Sequence, residues 1–363
     1  MARRMRRGGF GVGAAGLVLL LMAGTGCSHS PAQKMTGPPE ALSVAAQLKG
    51  MTDEAPAISG TFTYETTQDR SAYFAEQVFW GSPPMEFLSA VPKTSSKESA
   101  QTIALANYVE QTLKDGPPQG TRTEVRQYQQ RQQGKMFYVS RLWTIDGKDY
   151  QSPITMAWNG KRGTAYQSKP KWAKSFGDRD DMMRMDGSPE PVRFFSWRMA
   201  FPTSSAAVSV RHEVVNGEEL VVLREDSGDV LYREYYLAAK EGLVPRRIVQ
   251  RMKLKQKMPE QDVRSTIETE TGRWWNRSRT TREVVIPAAP LKLLDWNHGT
   301  WDSETTVTGY VVRPDGKWFV TQSTTVYPFF RRTETFKAEN VSFSPLPGSA
   351  FEVQVPKDVA VRR

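Results

Sequence analysis

The chain has 363 residues, a formal net charge of +10, 39% hydrophobic residues and a mean hydropathy of −0.53. That length, with 10% aromatic residues, excludes a wholly disordered chain and leaves room for a sizeable core. A single cysteine excludes internal disulfides and the usual zinc–thiolate sites, so packing and hydrogen bonds must hold the fold.

The first ten residues, MARRMRRGGF, carry Arg3, Arg4, Arg6 and Arg7 ahead of an apolar run over residues 12–23. A basic start, about 7–15 apolar residues and a small-residue end form a secretory signal peptide, here residues 1–26. The run is shorter than the ~20 residues that cross a bilayer. Without those four arginines the charge is about +6, which favours anionic phospholipid or acidic envelope polymer as surroundings. No nucleic acid partner is expected, because the protein is exported and its basic residues are spread through strand-like segments.

The residues Gly24-Thr25-Gly26-Cys27 resemble a bacterial lipobox, in which a peptidase cuts before a cysteine that carries diacylglycerol. Gly24 departs from the aliphatic residue usual at that place. The resemblance implies lipidation of Cys27 and a membrane anchor of palmitate-type chains, each buried methylene contributing about 0.8 kcal/mol. Ser28, where aspartate signals inner-membrane retention, implies an outer-membrane anchor facing the periplasm. Residues 27–39, small and polar with Pro and Gly, read as a tether.

Residues 40–286 read as the main body and 287–363 as C-terminal strands of the same or an appended β unit. A helix is predicted over 40–49, EALSVAAQLK, with Leu42, Ala45, Ala46 and Leu48 on one side. A second, over 97–114, stops at Asp115-Gly116-Pro117-Pro118. Strands are predicted at 221–223, 232–237, 248–254, 266–270, 318–327 and 351–355, where β-branched and aromatic residues suit a pleated surface. In the 248–254 strand Ile248, Gln250, Met252 and Leu254 share a face opposite Arg251 and Lys253. Asp146-Gly147, Asn159-Gly160, Asn216-Gly217 and Asp315-Gly316 are type I′ hairpin signals between such segments. Residues 171–185 read as loop or short helix. The fold class is mainly β (α+β), an antiparallel meander with few helices.

Tests for chemistry return little. The three histidines, His29, His212 and His298, form no HExxH-like pair. The acidic run GDRDDMMRMDG over 177–187 has Met183 and Pro189 where an EF-hand needs glycine and glutamate. No GxSxG, SxxK, P-loop or GxGxxG is present, and Glu218-Glu219 falls in a predicted turn. No metal, cofactor or catalytic residue is assigned. The aromatic run VRFFSWRMAFP over 192–202 has two readings. It is core structure, or it is a flap over an apolar cavity in which Phe194, Phe195 and Trp197 meet lipid and Arg198 meets an anionic head group.

Three pieces carry a family resemblance: ISGTFTY (58–64), YLAAKEGLVPRRI (236–248) and FEVQVPKDV (351–359). Together they resemble the periplasmic lipoprotein-carrier superfamily, the LolA/LolB/LppX-like group. The resemblance implies an incomplete antiparallel β-barrel around an apolar cavity, with helices as a lid and acyl chains as ligand. The expected function is therefore an exported, membrane-anchored lipoprotein that binds or transfers lipid or lipoprotein acyl chains. A non-catalytic envelope scaffold and a periplasmic hydrolase are the alternatives.

Overall fold

The computed structural model describes residues 35–51, 57–91, 97–183, 206–226, 231–253, 262–271, 278–296 and 300–362. The strands are β1 (Ala57–Asp69), β2 (Thr121–Gln133), β3 (Met136–Ile145), β4 (Lys148–Trp158), β5 (Gly163–Ser168) and β6 (Lys171–Phe176). They continue with β7 (Ala207–Val215), β8 (Glu218–Asp226), β9 (Leu231–Ala238), β10 (Val244–Lys253), β11 (Val263–Thr271) and β12 (Ser278–Ile286). The last are β13 (Thr300–Val312), β14 (Trp318–Tyr327), β15 (Arg332–Ser342) and β16 (Val361–Arg362). Five helices accompany them among the described residues: α1 (Pro39–Met51), α2 (Arg70–Trp80), α3 (Met85–Ala90), α4 (Lys97–Asp115) and α5 (Arg179–Met183). The chain divides into two compact units, one of them containing Asp69–Gly120 and Gln256–His298.

The larger unit is one 14-stranded sheet in the order β16, β6, β5, β4, β3, β2, β1, β15, β14, β13, β10, β9, β8, β7. Its hairpins pair antiparallel, and β16 lies parallel to β6. The first and last strands do not pair with each other, so the sheet is an open half-barrel, mainly antiparallel as expected. Alternation explains the strands. In β1 Phe62 and Tyr64 are buried, while Thr61, Thr63 and Glu65 lie on the opposite side. β1 bulges against β15 at Gly60, where a Cβ would lie 3.2 Å from the Glu339 carbonyl oxygen.

Two of the four turn signals act as expected. Asp146 and Gly147 (φ 52° and 74°) and Asn216 and Gly217 (φ 50° and 83°) are left-handed pairs that match strand twist. At Asp315-Gly316 only Gly316 is left-handed, and Arg313 N–H reaches the Lys317 carbonyl at 2.7 Å across a longer loop. Asn159 closes its turn with its side chain, accepting from the N–H groups of Lys161 and Arg162.

The stretch 171–185 is not simply loop or short helix: it opens with β6 and then forms α5. Asp178 Oδ1 caps α5 by accepting from the N–H groups of Asp180 (2.8 Å) and Asp181 (3.1 Å). Met182 then enters the core fully buried against Gly163, where a Cβ would sit 2.4 Å from its sulfur. The strand expected at 351–355 does not form. A 3-10 turn, Gly348–Phe351, seats Phe351 at 1% exposure, and sheet pairing resumes only at β16.

Both sheet edges are covered by short parallel contacts. Thr36 bonds Ala206 O (3.1 Å) and Val208 N–H (2.8 Å) beside β7. β16 lies on β6, where Lys171 and Asp358 pair at 2.7 Å. Unpaired edges invite pairing with another chain, and these contacts blunt them.

The smaller unit contains α2, α3, α4 and the β11–β12 ribbon. Asp69 Oδ1 caps α2 through the N–H groups of Ser71 and Ala72, and Gly81 (φ 62°) ends it. Ala72, Phe74, Ala75 and Val78 form its buried stripe, and α2 packs on a 3-10 turn, Ala289–Leu293. Tyr108 of α4 meets Phe74 at 5.3 Å and Phe87 at 5.1 Å between ring centroids. Trp296 donates its indole N–H to Leu291 O at 2.6 Å.

Met182→Ala leaves a cavity under Gly163 and is expected to cost about 2–5 kcal/mol in urea unfolding. Truncation after Pro356 removes β16, and the opened β6 edge is expected to raise the light-scattering mass above that of the full chain. An unchanged mass would count against an edge-covering role for the C-terminal residues.

Candidate functional site

α1 and α5 lie on one side of the large sheet, defined here as its inner face. Ala41, Ala45 and Leu48 of α1 and Met182 of α5 share one buried cluster with that face. Strand register determines which other side chains join them. Leu223 pairs with Tyr235, Tyr235 with Ile248, and Ile248 with Thr305. Farther across, Ser323 pairs with Phe336 and Phe336 with Tyr64. Tyr64 stands 5.0 Å from Phe336 and 6.0 Å, edge-on, from Tyr128 of β2. Val139 and Met156 continue the row on β3 and β4 with no solvent exposure. Apolar and aromatic side chains thus line the inner face across most of its strands.

Polar groups are set into this surface, two residues along each strand, and they answer one another. Glu225 has no solvent exposure. Its carboxylate accepts from Arg233 Nη1 (3.2 Å) and from the Tyr235 hydroxyl (3.1 Å), and Arg233 Nε donates to Gln250 (2.9 Å). Burial first, and then the Glu225 charge, push the Tyr235 hydroxyl far above its ordinary pKa of 10, so it stays a donor. Thr305 and Thr325 share a 2.8 Å hydrogen bond, and the Tyr327 hydroxyl donates to Glu334 at 3.3 Å. On β2, Glu124 accepts from both Arg122 (2.8 Å) and Arg126 (2.6 Å). Buried partners of this kind are costly to separate, since the remaining group keeps its desolvation penalty.

The inner face thus combines a continuous set of buried apolar and aromatic side chains with a few paired polar groups. His212, the one histidine among the described residues, is exposed, with Nε2 2.9 Å from Glu40. No group of three or more His, Cys, Asp or Glu among the described residues is placed to hold a metal. No helix among them is long and apolar enough to cross a membrane. In the smaller unit a groove of about 500 Å³ runs between α4 and β12, lined by Leu113, Val285, Pro287 and the Lys114–Glu110 pair. Leu113 and Val285 are 37% and 39% exposed there, so its apolar side is largely wet.

Cys27, Phe194, Phe195, Trp197, Arg198, His29 and His298 lie outside the described residues. The site residues that the sequence reading passed over include Tyr128, Glu124 and Arg126. They stand on β2, TRTEVRQYQQRQQ, whose inward positions are mostly polar and show no hydrophobic alternation. The available signal was its position between a turn-rich segment and the next strand.

Comparison with known proteins finds no matching family model and no matching curated protein. Among solved structures, the chain is similar to a DUF1329 family protein from Desulfovibrio piger, with 10% identity, 87% of this chain and 98% of that one covered, and TM-score 0.37. It is also similar to an outer membrane lipoprotein-sorting protein domain from Vibrio parahaemolyticus, with 8% identity, 83% and 91% covered, and TM-score 0.34. A LolA superfamily protein from Nitrosomonas europaea aligns with 10% identity, 86% and 97% covered, and TM-score 0.33. At TM-scores this low the likeness is one of general outline, and the functional reading rests on the residues of the sheet.

Tyr235→Phe removes a donor to buried Glu225 and is expected to cost about 1–2 kcal/mol. Above about pH 10 the tyrosine ionises in the unfolded chain before it does so in the fold, so wild-type stability falls as pH rises. The gap between wild type and Tyr235→Phe should therefore narrow from about pH 9 to about pH 11 in urea titrations.

Proposed function

We propose that this protein is an exported envelope lipoprotein, anchored through an acylated Cys27, that binds lipid or lipoprotein acyl chains on the inner face of its half-barrel. The observation that carries the reading is the row of Leu223, Tyr235, Ile248, Phe336, Tyr64 and Tyr128 on one face of an unclosed sheet. Each methylene moved from water onto such a surface contributes about 0.8 kcal/mol, so one acyl chain suffices for useful affinity. In this reading residues 192–202 act as the flap, with Phe194, Phe195 and Trp197 against the chain and Arg198 near its head group. Anchoring on the periplasmic side of the outer membrane follows from Cys27 and Ser28.

The scaffold alternative fits the outer face less well. Arg211 is held by Glu213 and Glu234, Arg246 by Glu218 and Glu241, and Arg247 by Glu304. Cations already matched in this way have less to offer an anionic polymer.

Native mass spectrometry of the chain purified gently from its own envelope is expected to show a bound lipid. Phe194→Asp with Trp197→Asp should weaken uptake of a fluorescent fatty acid about tenfold, the equivalent of two lost methylene-sized contacts. A clean apo mass with no lipid uptake would remove the carrier reading. Separately, labelled palmitate should enter the wild type and not Cys27→Ser.

A further inference from the structure

The β2–β3 end of the inner face holds a cluster that the apolar row does not account for. In the β2–β3 register Arg126 stands opposite Trp143, and Tyr128 opposite Arg141, so all four share one face. The Arg126 guanidinium carbon is 4.4 Å from the Trp143 ring centroid and that of Arg141 is 5.2 Å from the same ring. Tyr150 meets Trp143 in a tilted contact, with ring centroids 4.6 Å apart. Two cations thus lean on one indole.

We propose that Arg126, Arg141 and the indole N–H of Trp143 form a binding site for an oxyanion, a phosphate or carboxylate group. Three observations converge on it. First, Trp143 Nε1 is buried with no hydrogen-bond partner, a donor that an incoming oxygen would satisfy. Second, Glu124 is shared between Arg122 and Arg126, so one carboxylate answers two guanidiniums. Third, burial holds the Arg141 guanidinium below its usual pKa and the neighbouring Arg126 charge adds to this, while the Tyr128 hydroxyl opposes it. An anion would relieve that repulsion, and a neutral sugar or a cation would not.

The chemistry and the access agree. Guanidiniums present N–H donors suited to phosphate and carboxylate oxygens. The Arg126 side chain is 45% exposed and Tyr150 49%, so the cluster is reached from water. Tyr128 links it to Tyr64 and the aromatic row. On the acyl-chain reading, on which this part rests, the anion is the head group of a lipid whose tail lies along that row. The same donors would also take free phosphate.

The test compares binding of dodecyl phosphate, dodecyl maltoside and inorganic phosphate to the full chain by calorimetry at low salt. Dodecyl phosphate is expected to bind about tenfold more tightly than dodecyl maltoside. Arg141→Gln and Trp143→Phe should each erase most of that preference and leave maltoside binding unchanged. In tryptophan-¹⁵N-labelled protein, the indole resonance missing from Trp143→Phe should shift when dodecyl phosphate is added to the wild type. Equal binding of the two amphiphiles, with that resonance still, would overturn the anion site and leave the acyl-chain reading intact. Binding of inorganic phosphate that depends on Arg141, with neither amphiphile bound, would uphold the site and remove the lipid reading. No binding of any of the three would remove both.

Discussion

A carboxylate taken fully out of water must be met by donors, and the inner face is organised around that demand. Glu225 on β8 is answered by Arg233 and Tyr235 on β9, and Arg233 in turn by Gln250 on β10. The three strands are thereby tied in register. A slip of one residue would carry Glu225 and its donors to opposite faces and leave a buried charge unmatched. Tyr327 of β14 with Glu334 of β15 repeats the arrangement farther along the sheet. Apolar burial drives the sheet together, and these pairs choose among the registers that burial alone would allow.

The two faces of the sheet consequently differ in kind. The outer face is laced with ion pairs around Tyr236, where Arg211 and Arg247 lie over one ring and bind Glu234 and Glu304 respectively. The hydrogen-bonded carboxylates raise both guanidiniums above their ordinary pKa, so these cations stay charged and matched. The inner face instead offers continuous apolar area with polar interruptions. An open sheet needs its margins managed as well. Thr36 beside β7 and β16 beside β6 supply that with a few backbone bonds each.

Much of the architecture was readable where the cause is local. Asp146-Gly147 and Asn216-Gly217 make the expected hairpins because both central residues tolerate positive φ. The helix at 97–115 follows from its periodicity and the Gly-Pro stop, and β10 covers most of the strand expected at 248–254. Other elements were hidden. α2 has a capping aspartate, Asp69, and a stripe of Ala72, Ala75 and Val78, yet its tyrosine and phenylalanines mimic strand composition. Residues 351–355 have strand composition, but Phe351 serves as a plug at a 3-10 turn, a role set by what it packs against.

The amino-acid sequence by itself determined the mainly antiparallel class, the hairpin positions and the helix at 97–115, because turn chemistry and residue periodicity act over a few neighbours. Tertiary structure decided which polar residues face inward. β2 shows why: Arg122, Glu124 and Gln130 look like solvent-facing residues until the assembled sheet buries them, where Arg122 and Glu124 pair along their own strand. The cost of burying Glu225 depends on how β8 and β9 align, because that alignment decides which donors reach it. No local pattern records where those donors will stand.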